Sequence, residues 1–404
     1  MTDLTAPTGV SDRIGELDII RGFALFGVLW MNVEGMGGFV VPREAVHGLT
    51  QFKVLEDVVG FLSVQMMGGK AQALFSMLFG FGFAIMMDRI GARGGNGTAV
   101  YLRRLAVLLA ISVAHASLLW MGDILNAYAL MGFLLLLTRR WSDGWLLTVG
   151  VILTGLLPSG IMAWYQITGD GGPPGFVAMM EAGAARLEPL VLNGDDYFAF
   201  VATSFRGAFL EFFTEPLALS YFGWILGRFM IGSWIYRQGW LQAPERHLKG
   251  FAVVAATLIP VGLLLQMTRP IMRSLELEPM TWAQPLFRGL NPAVAVILAI
   301  GYAALIVILC QWPTMRRRLS SLGSVGQMAL TNYLTQSLFF VFVLYGFGLG
   351  LLPWMGPTLA LVFSVGVFAL QVLFSRWWLA RHRFGPAEWL WRWATYGVRP
   401  PLQR

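Results

Sequence analysis

The chain has 404 residues, of which 56% are hydrophobic and 13% charged, with a formal net charge of +7. A soluble globular domain carries about 25% charged residues, so this composition excludes an ordinary soluble fold. The single cysteine, Cys310, excludes an internal disulfide and any cysteine-based metal site. Residues 1–16 are polar, carry Arg13 and read as a cytoplasmic leader ahead of a first helix that is retained, because no small-residue cleavage site follows it.

A helix crosses a bilayer with roughly 20 apolar residues. Such windows lie at 17–36, 70–90, 102–121, 123–138, 144–165, 215–236, 250–268, 289–311, 325–347 and 355–378. The expected fold is all-α, a polytopic integral membrane helix bundle of about ten transmembrane helices, in one domain over residues 1–404. Between these windows, 52–69 is short and charged at one end, which suits a half-inserted helix feeding the second long span. The 166–202 outer loop opens on TGDGGPPG, which breaks any helix, and its segment 176–192 is amphipathic, as a helix lying on the interface would be. The tail, 379–404, sets Trp389, Trp391 and Trp393 beside Arg392 and reads as a cytoplasmic interfacial anchor.

Short cytoplasmic loops are enriched in Lys and Arg. Arg89, Arg93, Arg103 and Arg104 fall in one loop, Arg139 and Arg140 in the next basic one, then Arg237, Arg246 and Lys249, then Arg316 to Arg318. Their alternation puts both termini in the cytoplasm of a bacterial cell (inner) membrane protein. The positive charge is thus a topology signal, the expected surrounding partner is the lipid bilayer, and no nucleic acid is expected.

Ionisable groups at membrane depth are expensive and are kept where they line cavities or carry chemistry. The stretch RLAVLLAISVAHASLLWMGDILNAYALMGFLLLLTRR, from Arg104 to Arg140, holds two: His115 near the outer end of one span and Asp123 at the start of the next. A carboxylate there holds an imidazole in one tautomer, as in base-plus-orienter pairs. The plainer alternative is that Asp123 caps its helix and His115 bonds within the bundle. Tyr128 is a supporting donor in the same helix. His47, which follows Asn32 and Glu34 on the outer side, is the rival base, while His247 and His382 sit in basic loops as solvated residues.

Four blocks carry a family likeness: LDIIRGFALFGVLWMN (17–32), LFSMLFGFGFA (74–84), HASLLWMGDILNAYALMG (115–132), and GQMALTNYLTQS (326–337) with FGPAEWLWRWATYG (384–397). Together they resemble the YeiB-like family, domain of unknown function 418, and the LDxxRG opening is similar to the heparan-alpha-glucosaminide N-acetyltransferase family and other transmembrane acyltransferases. The resemblance implies acyl transfer across the membrane. The co-substrate is acetyl-CoA or another acyl-CoA from the cytoplasm, with no metal, and the acceptor is a sugar, lipid or other molecule on the outer side. In the glucosaminide enzymes an active-site His follows an Asn in the outer segment, which points to His47 and Asn32, although the surrounding sequence NVEGMGGFVVPREAVHGLT departs from that pattern.

On this reading Arg21, one turn from Asp18, is either half of an intrahelical ion pair or, with Arg13, Arg103 and Arg104, a cradle for CoA phosphates. Asn32 or backbone amides stabilise an oxyanion. Lys70 faces the same cavity as Asn32 or the outer headgroups, and Arg228, deep in GWILGRFMIG where the family suggests an apolar residue, marks acceptor or cofactor specificity. Asn332 and Tyr333 read as interhelical hydrogen-bonding groups. Two other classes stay open, a proton-coupled transporter or flippase using the same buried charges and a non-catalytic scaffold, as does a homodimer. The discriminating feature is whether the basic side opens onto an internal cavity.

Overall fold

Apolar periodicity resolves into helices throughout a computed structural model that describes residues 14–37, 39–167, 174–211, 216–274 and 283–404; among these residues β-structure is limited to isolated bridges. The chain is a multi-pass membrane protein. Helix α1 (Gly15–Gly35) leads into a loop and then α2 (Lys53–Met66), which meets α3 (Lys70–Ala92) at a tight turn where Gly69 adopts φ 76°. Helices α4 (Gly97–Leu118) and α5 (Leu125–Leu137) form the next hairpin, and α6 (Asp143–Val151) continues through a π-helical turn into α7 (Leu157–Ile167). Then come α8 (Pro174–Asn193), α9 (Tyr197–Phe205), α10 (Pro216–Arg237), α11 (Leu248–Ser274) and α12 (Ala283–Leu309). Helices α13 (Pro313–Gln327), α14 (Ala329–Phe339), α15 (Pro357–Leu379) and α16 (Pro386–Tyr396) complete the order.

Six helical stretches among the described residues are long and apolar enough to cross a membrane, or seven when α13 and the α14 segment, bent by 79° at their junction, are taken as one broken span. The expected count of about ten is thus not reached by this measure. The three other windows are helical but fall short of it: α1 carries Glu16, Asp18, Arg21 and Glu34, α5 has only 13 residues, and α10 contains Arg228 and Arg237. The window expected over 325–347 is interrupted at Met328, where α13 ends, and passes into a π-helical turn at Phe340–Leu344.

Without a hydrophobic driving force between helices in lipid, close packing depends on small residues. A Cβ on Gly80 of α3 would sit 1.9 Å from the Phe229 carbonyl oxygen of α10, and a Cβ on Gly232 of α10 would sit 1.9 Å from the Met77 carbonyl oxygen. Between α1 and α13, Gly22 approaches the Leu322 carbonyl and Gly326 the Asp18 carbonyl in the same reciprocal way. These backbone-to-backbone crossings hold α1, α3, α10 and α13 around a common interior. The segment expected on the outer interface forms α8, whose Ala184, Leu187 and Val191 are buried, and Leu187, Val191 and the Phe200 of α9 join the core cluster that holds Leu25, Leu29 and Tyr345. Gly346 N–H also donates to the Val191 carbonyl at 2.7 Å, and Tyr197 OH to the Leu118 carbonyl at 2.6 Å, so α8 is tied to the turn that follows α14 and α9 to the end of α4.

Overpacking costs about 1–3 kcal/mol where a side chain must shift, and more where backbone blocks it. Gly80→Leu and Gly232→Leu each lower the melting temperature of the detergent-purified protein by several degrees in a size-exclusion thermal assay. Gly91→Ala, with nothing within 4 Å of the added Cβ, leaves it unchanged.

Candidate functional site

His115 lies in the last turn of α4, with Ser112 three residues earlier on the same face. The chain then reverses: the Leu119 and Trp120 N–H groups both donate to the His115 carbonyl, at 2.9 and 3.0 Å, and Asp123 N–H donates to the Trp120 carbonyl at 3.1 Å. This turn returns Asp123 to the imidazole, with His115 Nδ1 2.9 Å from Asp123 Oδ1. Asp123 Oδ2 accepts from Ser112 Oγ and from Asn126 N–H at 3.1 Å, so the carboxylate also caps the start of α5. Tyr333 OH of α14 donates to Asp123 Oδ1 at 3.2 Å and accepts from Ile124 N–H at 3.3 Å. One turn further along α14, Ser337 Oγ lies 2.8 Å from His115 Nε2.

A carboxylate only accepts, so Nδ1 carries the imidazole proton, Nε2 presents its lone pair, and Ser337 donates to it. The result is a Ser337–His115–Asp123 relay, the arrangement by which a base holds a hydroxyl and a carboxylate orients the base. His115 is 3% exposed, Asp123 4% and Ser337 1%, and Trp120 and Phe340 pack edge to face with centroids 5.4 Å apart. Sequence reasoning missed Ser337. The available signal was its i, i+4 spacing from Tyr333, which puts both on one face of α14.

Beside the relay lies a cavity of about 470 Å³, within the usual range of small-molecule sites. Arg21, Arg104, Glu388, Trp391 and Arg392 line its basic end, and Asn32, Gln72, Gly122, Tyr128 and Tyr333 line the rest. Arg21 and Asn32 lie roughly 16 Å apart along α1 at ~1.5 Å per residue, so the cavity follows most of that helix. Tyr333 is the joint: it lines the cavity, bonds Asp123, and its ring centre is 5.1 Å from the His115 ring.

Residues 235–398 match the family described as "Protein of unknown function (DUF418)". Over 98% of its length the chain is 31% identical to the uncharacterized protein YxaH of Bacillus subtilis (strain 168), 98% of which is covered. The chain belongs to the DUF418 family. It is also 29% identical to the uncharacterized protein YeiB of Escherichia coli (strain K12), with 96% of this chain and 98% of that one covered. A Bacillus acidopullulyticus relative, the "Uncharacterized 39.9 kDa protein in amylase 3'region", is 28% identical over 98% of this chain and 97% of its own.

Within this family member the candidates separate clearly. Arg21, Asn32, Arg104 and Tyr128 line the cavity. Arg21 also bonds Asp18 at 2.7 Å, so the intrahelical ion pair is present, while Asp18 itself does not line the cavity. Arg104 packs 4.0 Å from the Trp391 ring centre, and no described carboxylate pairs with it. Arg103, its neighbour in sequence, is exposed and turns away from the cavity, which corrects its place beside Arg104. His47 is exposed and outside the cavity lining, in a loop tied by its backbone N–H to the Pro353 carbonyl at 2.7 Å, so the structure does not bring it to Asn32's cavity. Tyr128 bonds Ser76 at 2.8 Å and not His115; the phenol beside the relay is Tyr333.

Glu34, Lys70 and Arg228 do not line the cavity. Glu34 accepts from Ser63 Oγ at 2.6 Å, and buried Lys70 donates to the Val64 carbonyl at 2.8 Å, closing the end of α2. Arg228 is 2% exposed and reaches Gln72 and the Pro292 carbonyl, each at 3.4 Å. At the basic end, Glu388 of α16 caps α14 by accepting from Leu330 N–H at 2.6 Å, Thr331 N–H at 3.0 Å and Thr331 Oγ at 2.5 Å.

Asp123→Ala leaves Ser112, His115 and the Asn126 N–H without their buried acceptor and costs about 3 kcal/mol or more, whereas Tyr333→Phe costs about 1 kcal/mol. Denaturation of both variants in detergent checks that order. Burial holds the Glu388 carboxyl above the usual carboxylate range, against the opposing hydrogen bonds from Thr331 and Leu330. A folded-state value raised above the unfolded one contributes stability at low pH that is lost as pH rises through the folded value. The melting temperature of the parent chain therefore falls on raising the pH above the ordinary carboxylate range, and Glu388→Gln, which keeps an acceptor for the two N–H groups, flattens that slope.

Proposed function

We propose that this protein is a membrane-embedded acyltransferase of the bacterial cell (inner) membrane. It takes an acyl group, acetyl by preference, from acyl-CoA on the cytoplasmic side and delivers it to a hydroxyl or amine of a sugar, lipid or other acceptor on the outer side. The basic end and both termini face the cytoplasm in this reading, because the loops rich in Lys and Arg lie on that side. One observation carries it: a single cavity runs from Arg21, Arg104 and Arg392 to Tyr333, the residue that also hydrogen-bonds the buried His115–Asp123 pair. An acyl-CoA needs both features in one space, guanidinium groups for its phosphates and an apolar passage for the thioester. Arg104 beside Trp391, with Leu25 and Leu108 further in, suits that order of groups.

In the chemical step Ser337 Oγ attacks the thioester carbonyl while His115 Nε2 takes the hydroxyl proton. Asp123 stabilises the imidazolium, and His115 returns the proton to the departing thiolate. His115 then deprotonates the acceptor hydroxyl or amine as it attacks the acyl-Ser337 carbonyl, and the imidazolium returns that proton to the departing Ser337 Oγ, which restores the relay. Tyr333 moves aside to admit the thioester, since it stands between the cavity and the imidazole. Asn32, on the cavity wall, is the donor available to a developing oxyanion.

The burial of His115 and Ser337 behind Tyr333 favours a second reading, proton-coupled transport, in which the same groups relay a proton and no acyl bond forms. Ligand binding separates the two. A ligand that binds only the folded state raises the melting temperature, so acetyl-CoA and CoA produce a saturable rise and AMP does not. Arg104→Ala shifts the half-saturating acetyl-CoA concentration upward about tenfold, the loss of roughly one charge-assisted contact. Absence of any shift with short- or long-chain acyl-CoA leaves the transport reading.

A further inference from the structure

Among the described residues Arg228 is a fully buried cation that belongs to no ion pair. It is 2% exposed, and among the described residues its Nε–H has no hydrogen-bond partner. Its two remaining bonds are long, 3.4 Å from Nη1 to Gln72 Oε1 and 3.4 Å from Nη2 to the Pro292 carbonyl, and the Trp224 ring centre lies 5.5 Å from the guanidinium carbon. A guanidinium stays charged at any ordinary pH. Burying one beside neutral groups alone is strongly unfavourable, and a charged residue at membrane depth is normally matched by a partner or faces a polar cavity.

The position of Arg228 says where that partner comes from. Gln72, which holds it, is on the cavity wall, as are Tyr128 and Tyr221, the two phenols close enough to act on its charge. Gln72 Oε1 therefore occupies the place where an oxygen entering from the cavity would meet the guanidinium. A neutral amide at 3.4 Å fills that place poorly. A carboxylate or phosphate oxygen fills it well, with a charge-assisted bond to Nη1 that a neutral amide oxygen cannot match.

We propose that the lobe of the cavity bounded by Gln72, Tyr128 and Tyr221 binds an anionic ligand group, a phosphate or carboxylate, and that Arg228 is its counter-ion. Gln72 swings aside on binding, and the two phenols supply neutral donors to the remaining oxygens. This assignment is independent of acyl transfer: it holds whether the ligand is an acyl acceptor or a transported molecule. It narrows either to a molecule that carries an oxyanion.

The test follows the melting temperature of the full-length protein in dodecyl maltoside. Inorganic phosphate, acetate or phosphatidylglycerol is titrated, with chloride and phosphatidylcholine as controls at matched ionic strength and lipid content. The expected result is a saturable rise of several degrees with at least one of the three anions. A response to inorganic phosphate or acetate assigns a soluble ligand, and a response to phosphatidylglycerol alone assigns a lipid headgroup. Arg228→Gln abolishes the response and Arg228→Lys keeps a weakened one. Gln72→Glu, which places a carboxylate on the guanidinium from within and does not depend on removing the Arg, raises the basal melting temperature and abolishes the anion response. The proposal is overturned if none of the anions shifts the parent protein more than its control, or if Gln72→Glu responds as the parent does.

Discussion

The Asp123 carboxylate is the point on which the interior depends. Lipid tails satisfy no stranded polar group, and here one carboxylate gathers Ser112 and His115 from α4, the Asn126 N–H that opens α5, and Tyr333 from α14. Three helices are fixed to one another through four donors. The same interaction fixes the imidazole: its Nδ1 is committed to Asp123, so its Nε2 faces Ser337. The cap that starts α5 is thus also the group that holds the His115 imidazole, so the structural role of Asp123 and the chemical role proposed for it are not alternatives.

Helix α14 is shaped to serve that point. It begins at a sharp bend after α13, its first N–H groups are satisfied by Glu388 from α16, and it ends in a π-helical turn at Phe340–Leu344. π-helical turns are rare and frequently lie at functional sites. Asn332 anchors the other face of α14 to Ser375 at 3.0 Å and to the Val325 carbonyl at 3.1 Å, while Gln371 of α15 donates to the Asn332 carbonyl at 2.7 Å. Tyr333 and Ser337 are thus held toward α4 by bonds on the opposite side of their helix.

How much of this could be read from the sequence differs residue by residue. His115 and Asp123 stood out because both are ionisable within one apolar hairpin, and the short turn between the helices brings them together. Ser337 did not, since a lone hydroxyl in an apolar helix usually bonds its own backbone, and only the pairing of α14 with α4 gives it another partner. Asn332 and Tyr333 looked alike as neighbours in sequence, yet a helix turns by about 100° per residue and sends them to different helices. The same rotation separates Arg103, exposed, from Arg104, which reaches the cavity. All-helical membrane architecture was plain from composition, but the number of spans was not. Windows of hydropathy cannot distinguish lipid-facing apolarity from the interior apolarity of α5, with its 13 residues, or foresee the 79° break that divides α13 from α14.

The most direct test of the relay needs no knowledge of the acceptor. Purified protein is mixed with excess acetyl-CoA and the released thiol is followed in a stopped-flow thiol assay. The account predicts a burst of free CoA thiol equal in amount to the protein, lost in both His115→Ala and Ser337→Ala while their melting temperatures show that each remains folded. A burst of undiminished size in folded Ser337→Ala, or no burst in the parent protein although acetyl-CoA binds, contradicts it.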